Sequence, residues 1–193
     1  MLTPEAVIER LSLLKGVEPP LWLSGGVAVD FLVGRWTRRH GDIDLIAFHD
    51  DRPLVTTALA EIGVELAKDG YWTTKWSFQG TQPADIEVVF VEPAESQTGV
   101  LVIPVDAPDR GQAGRYPFID GYLDEEAWRE LDGVRFRTCS LEGEWLNRLG
   151  SGDDGGVVQG RRPDPKIAQD RELLGALIPP DRRASLASWR LLR

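Results

Sequence analysis

The chain has 193 residues, 42% hydrophobic and 27% charged, with a formal net charge of −9 from 22 Lys and Arg against 31 Asp and Glu. This is ordinary globular composition for one domain, or for a core with a small appendage, and its acidity argues against a binder of long nucleic acid, which would carry a basic surface. The single cysteine, Cys139, excludes an intrachain disulfide and a cysteine zinc cluster.

In chain order, Thr3 caps an expected first helix with Pro4 at its first position, and Val7, Ile8, Leu11 and Leu14 follow at helical spacing up to Gly16. Glu5 and Glu9 interrupt this stretch and no basic n-region precedes it, so a signal peptide is not expected. No apolar run reaches the roughly 20 residues that span a bilayer, and a cytoplasmic protein without membrane contact is expected. "LWLS" (Leu21 to Ser24) reads as a short strand, Gly25-Gly26 as a turn, "VAVDFLVG" as a helix ended by Gly34, and "DIDLIAF" as a strand. Leu54 to Ile62 reads as a helix. "VELAKD" and "YWTTKWSFQG" read as strands joined at Asp69-Gly70, and "ADIEVVFVE" and "GVLVIPV" as further strands.

From Pro104 to Gly121 the chain reads as loop. A helix is then expected over Leu123 to Leu131, a strand over Val134 to Arg137, and a helix over Leu141 to Leu149 capped by Ser140. The glycine-rich segment Gly150 to Gly160 reads as a flexible loop, and helices over Pro165 to Leu177 and Asp181 to Leu192 finish the chain. The expected architecture is a mixed α/β core over residues 1–105, followed by a mainly helical extension over 106–193 on the acceptor side.

Two strands open on acids. Alternate residues of a strand share a face, so Asp42 and Asp44 project together while Ile43 and Leu45 face a core, and Asp85 and Glu87 repeat the pattern in "ADIEVVF". Neighbouring carboxylates repel unless a cation lies between them, and Mg²⁺ takes one or two carboxylates plus substrate phosphates. Adjacent acidic strand ends would suit two-metal phosphoryl chemistry. The plainer reading is an exposed acidic sheet end. Gly25-Gly26, between a strand and a helix, would let backbone N–H groups approach a phosphate, with Ser24 adding a hydroxyl. Neither a P-loop nor a dinucleotide fingerprint is present, and alone the glycines need only make a tight turn.

Together, "SGGVAVDFLVGRWTRRHGDIDL" resembles the signature of the nucleotidyltransferase superfamily, the DNA polymerase β-like fold. It is closest to the aminoglycoside 2″-adenylyltransferases and lincosamide nucleotidyltransferases. The matching positions are Gly25, Gly26, Asp30, Gly34, Thr37, Arg38, His40, Asp42 and Asp44, without gaps. The resemblance is sharp over Leu21 to Phe48 and fades after Val91; Lys166 and Asp170 on a C-terminal helix match it weakly. It implies that Ser24, Gly25 and Gly26 hold the β- and γ-phosphates of a nucleotide and that Asp42 and Asp44 bind Mg²⁺. Asp85 would be the third carboxylate, completing the metal site or accepting the proton of the attacking hydroxyl, with Glu87 beside it facing the acceptor as the alternative group to take that proton.

The remaining candidates carry two readings each. Arg38 and His40 would contact the triphosphate, or pair with Asp30, Asp42 or Asp44 to shape the turn. Asp30 is expected to bond the basic turn. Trp72, Trp76 and Phe78 are expected in the core, with Tyr71, Thr73 and Lys75 on the opposite face; either face would serve an acceptor pocket. Arg161-Arg162 is expected to be solvated, or to close over a phosphate. The resulting expectation is an enzyme that transfers a nucleoside monophosphate from an NTP, ATP by preference, to a hydroxyl of a small molecule such as an aminoglycoside or lincosamide. The alternatives are a nucleotidyltransferase acting on a protein or tRNA, or an inactive nucleotide-binding protein.

Overall fold

A computed structural model describes residues 1–69, 73–78, 85–93, 101–102, 119–124, 126–150 and 164–191. The elements are α1 (Pro4–Leu14), β1 (Trp22–Ser24), α2 (Gly25–Val33), β2 (Ile43–Phe48), α3 (Arg52–Glu61), β3 (Val64–Asp69), β4 (Thr73–Phe78), β5 (Ile86–Pro93), β6 (Leu101–Val102), β7 (Trp128–Leu131), β8 (Val134–Arg137), α4 (Leu141–Gly150), α5 (Pro165–Leu177) and α6 (Pro180–Leu191). Thr3 caps α1 as expected, its hydroxyl accepting from the Ala6 N–H at 3.4 Å. Gly34 ends α2 in the left-handed conformation.

The sheet runs β1-β2-β5-β4-β3, with β6 paired to the far end of β5. β2 and β5 are parallel, and the other pairs along that path are antiparallel. The sheet separates two layers. Ile43, Leu45 and Ala47 of β2 and Ile86, Val88 and Phe90 of β5 pack with Val7, Leu11 and Leu14 of α1 and Val55 and Leu59 of α3. The alternate residues Ile46 and Val91 pack with Trp22, Val29, Trp145, Leu174 and Leu186, which brings α4, α5 and α6 onto the other face.

Trp22 ties this second layer together. It is fully buried, its ring edge meets Phe48 with centroids 5.6 Å apart, and its indole N–H donates to the Asp124 carbonyl at 3.0 Å. Cys139 is buried beside it in the same cluster, and burial pushes its thiol well above the usual range. Among the described residues no helix is long and apolar enough to cross a membrane.

One element differs in kind from the sequence reading. The helix expected over Leu123 to Leu131 is a turn followed by β7, which pairs antiparallel with β8. The cause lies between them. Asp132 and Gly133 both have positive φ, 47° and 78°, as the tightest hairpin turn requires. That turn closes Leu131 onto Val134 and overrides the helix-forming Leu, Glu, Ala and Arg before it. Other expected features fall outside the described residues: Trp72, the Gly70 half of the β3–β4 turn, most of the loop after Pro104, the glycine-rich segment from Ser151, and Arg161-Arg162.

Trp22 sets one measurable consequence for the fold. Trp22→Ala is expected to cost about 3 to 5 kcal/mol through the cavity it leaves and the carbonyl it orphans, read as a lower urea midpoint with unchanged slope.

Candidate active site

Strand register builds the centre of the site. Ser24 on β1 lies opposite Asp44 on β2, Asp44 lies opposite Glu87 on β5, and Glu87 lies opposite Lys75 on β4. These four residues form one row across four strands and share one face of the sheet. Asp42, just before β2, joins them. One oxygen each from Asp42, Asp44 and Glu87 lies within 4.8 Å of the others.

The row has a charge problem. Burial, then the neighbouring Asp42, Glu87 and Glu144 carboxylates, pushes the Asp44 carboxyl up from 3.8 to about 7. Three carboxylates converging this closely fit a hard divalent cation such as Mg²⁺, which takes oxygen ligands and removes the repulsion. Lys75 answers part of the problem from within the chain. Its ammonium is 2.5 Å from Glu87 Oε2, and that hydrogen bond raises the lysine above its ordinary value.

The glycine pair abuts this row. Gly25 begins α2 with φ at +68°, and a Cβ there would fall 1.8 Å from Asp44 Oδ2. A side chain is excluded twice, by backbone conformation and by the carboxylate. A Cβ on Gly26 would meet the Arg38 guanidinium at 2.4 Å and His40 Nδ1 at 2.8 Å. The start of α2, with its unpaired N–H groups, therefore lies between the carboxylates and a guanidinium.

Asp30 bonds the basic turn, as expected. Its Oδ1 accepts from the Thr37 N–H at 3.0 Å and the Thr37 hydroxyl at 2.5 Å. Its Oδ2 is 2.6 Å from His40 Nε2. Arg38 can only donate, so His40 Nδ1, 3.2 Å from the Arg38 guanidinium, is the acceptor and Nε2 carries the proton to Asp30. His40 is thus buried with both nitrogens engaged. Arg38 in turn reaches Asp170 of α5, at 3.1 Å to Oδ2 and 3.5 Å to Oδ1.

Asp170 belongs to a network that sequence reading did not assemble. Arg148 of α4 lies 3.5 Å from Asp170 and 3.2 Å from Glu144, one helical turn back. Glu144 is fully buried and accepts from both Ser24 and Tyr122 hydroxyls at 2.7 Å, while Asn147 donates to Tyr122 at 2.8 Å. Helices α4 and α5 therefore hold both ends of the segment around the glycine pair, Ser24 at one and Arg38 at the other. The available signal was Glu144 and Arg148 at i,i+4 on an otherwise apolar helix face. Their partners lie more than 20 residues away in each direction.

Asp85 stands apart from the carboxylate group that it was expected to complete. Asp85 lies just before the first residue of β5, and Arg10 of α1 captures its side chain. Arg10 Nε and a terminal nitrogen lie 2.7 and 2.6 Å from Asp85 Oδ2, with the arginine also stacked 5.3 Å from the Phe78 ring centroid. The Asp85 backbone still serves the sheet: its carbonyl accepts from Ile43 N–H at 2.9 Å. The third carboxylate beside Asp42 and Asp44 is Glu87. Trp76 is in the core as expected, with Phe78 packed against it.

Comparison with known proteins bears on the family and the fold. The family profile of the aminoglycoside-2″-adenylyltransferases matches residues 6–116. No curated protein sequence matches. Among solved structures, ANT(2″)-Ia in complex with adenylyl-2″-tobramycin superposes with a TM-score of 0.65 at 20% identity, over 94% of this chain and 97% of that one. The solution structure of ANT(2″)-Ia gives 0.65 at 18%, over 94% and 91%. The lincomycin-bound lincosamide adenylyltransferase LnuA gives 0.62 at 17%, over 92% and 99%. With a nucleotidyltransferase-type α/β fold and a family match across more than half its length, the chain belongs to the aminoglycoside-2″-adenylyltransferase family and is a nucleotidyltransferase.

Proposed function

We propose that the protein transfers AMP from ATP to a hydroxyl of an aminoglycoside and releases pyrophosphate, in the cytoplasm, where ATP is the donor. The observation that supports this most is the convergence of Asp42, Asp44 and Glu87 beside the glycine pair at the start of α2. ANT(2″)-Ia, whose complex holds an adenylyl-2″-tobramycin, shares the fold. A polycationic acceptor also suits a chain of net charge −9.

Each residue has a role in this reading. Asp42, Asp44 and Glu87 would hold Mg²⁺, which when bound neutralises the triphosphate and orients it for in-line attack. The Gly25 and Gly26 N–H groups bind phosphate oxygens at the positive end of α2. Arg38, aimed by Asp170 and His40, adds a guanidinium to the same phosphates. Ser24 is set by Glu144 and Tyr122. Glu87 faces the acceptor and takes the hydroxyl proton as the new P–O bond forms, and the bond from the α-phosphorus to the leaving pyrophosphate breaks. Asp85 braces α1 against the sheet through Arg10.

Pyrophosphate release with Mg-ATP, measured across aminoglycoside and lincosamide panels, tests the reaction. Release with aminoglycosides is expected, and none with any acceptor would overturn the reading. Glu87→Gln is expected to lower kcat by about 10²- to 10⁴-fold, the usual contribution of a positioned base, with the fold intact. Asp85→Asn is expected to do the opposite. It weakens a buried ion pair and lowers stability in urea by about 3 kcal/mol, while kcat falls far less than in Glu87→Gln.

The Asp44 carboxyl adds a pH dependence. Its value in the fold, about 7, lies above the ordinary 3.8, so the folded chain binds this proton more tightly than the unfolded chain does. Metal-free protein should therefore lose stability as pH climbs from about 4 to about 7. Mg²⁺ must displace the proton below that value and meets a ready carboxylate above it. Thermal stabilisation by Mg²⁺ is expected to grow from pH 6 to pH 8 in the unmutated protein and to be nearly flat in Asp44→Asn.

A further inference from the structure

The sequence offers four acids at two strand starts, a number that suits two metal ions. The structure divides them. Both acids associated with β5 already have a cation from this chain: Asp85 is clasped by Arg10, and Glu87 by Lys75. Among the described residues Asp42 and Asp44 have no ion-pair partner, and Asp44 stands two strands over from the lysine, with Glu87 of β5 between them. With Asp42, Asp44 and Glu87 at −3 and Lys75 at +1, the row carries −2, the charge that one divalent cation cancels.

The position of Lys75 is built into the sheet. It is the register partner of Glu87 on the neighbouring antiparallel strand, and on its other side it faces Lys68 of β3. Like charges directly opposed across strands repel, which favours Lys75 leaning toward the acids and away from Lys68. Lys75 is 42% exposed at its side chain and Glu87 21%, so the pair lies at the edge of the site, open to ligands.

We propose that Lys75 is a fixed cation of the carboxylate site. Its ammonium takes at Glu87 the place that a second divalent ion would need, so that the site binds one metal ion, held chiefly by Asp42 and Asp44. This rests on the metal-dependent reading above and adds the stoichiometry and the residue that sets it. Lys75 is a positioning residue for Glu87: it fixes one carboxylate oxygen and leaves the other to face the metal and the acceptor.

Counting Mn²⁺ bound to the full chain by equilibrium dialysis with Mn²⁺ alone, near pH 7.5, tests this without relying on turnover. One ion per chain is expected in the unmutated protein, two in Lys75→Met, and one again in Lys75→Arg, which restores the cation. Two ions of comparable affinity in the unmutated protein, or one still in Lys75→Met, would overturn the inference and leave the metal-dependent reading standing. No Mn²⁺ in the unmutated protein would instead remove that reading, and this inference with it. If Lys75→Met fails to fold, Lys75→Gln and the count on the unmutated chain carry the same decision.

Discussion

Everything at this site depends on the in-register parallel pairing of β2 with β5. That pairing sets Asp44 opposite Glu87 and, through the flanking antiparallel pairs, extends the row to Ser24 and Lys75. Two carboxylates directly opposite each other are unfavourable in any sheet. The surrounding structure overrides that cost by burying apolar residues on both faces of β2: Ile43, Leu45 and Ala47 on one face, Ile46 on the other. A slip of one residue would send those aliphatic side chains to the opposite faces. The core therefore enforces the repulsion, which the proposed cation would relieve.

The C-terminal helices contribute more than a wall. Glu144 and Asp170 are buried acids whose partners lie in the N-terminal segment, Ser24 through Glu144 and Arg38 through Asp170, with Arg148 between them. Buried ion pairs seldom add much net stability, because desolvation offsets their attraction, but they do define geometry. Here they define where a hydroxyl and a guanidinium stand relative to the start of α2. Placement of Ser24 and Arg38 thus depends on residues more than 100 positions downstream.

Much of this was legible in the sequence, for local reasons. Turn chemistry marked Gly25 and Gly34, a proline and threonine marked the start of α1, and alternation marked β2 and β5. The paired acids announced themselves because charge at the head of an apolar strand needs an explanation. What was not legible depends on three-dimensional pairing. Asp85 and Glu87 have the same parity, and periodicity alone favoured neither. Only the presence of Arg10 across the sheet separates Asp85, which it clasps, from Glu87, which joins Asp42 and Asp44. Arg10 gave no signal, since an arginine on an amphipathic helix is ordinarily solvated. Asp132-Gly133 was the opposite case, a local hairpin signal lying between the expected helix and the expected strand, where helix-favouring composition hid the first of its two strands.

Gly25 shows why the local and the global readings finally agree. A left-handed φ by itself asks for glycine, as does a tight turn between strand and helix, and neither implies chemistry. The decisive fact is what a Cβ would strike: the Asp44 carboxylate at 1.8 Å. The backbone at the start of α2 is pressed against the residue whose charge most needs a counter-ion. Bringing helix N–H groups and a metal-seeking carboxylate this close serves neither core packing nor capping, since Ser24 makes no side-chain cap to the helix and is bonded to Glu144 instead. The arrangement is understandable when one polyanionic ligand meets both, its phosphates on the N–H groups and its counter-ion on the carboxylates.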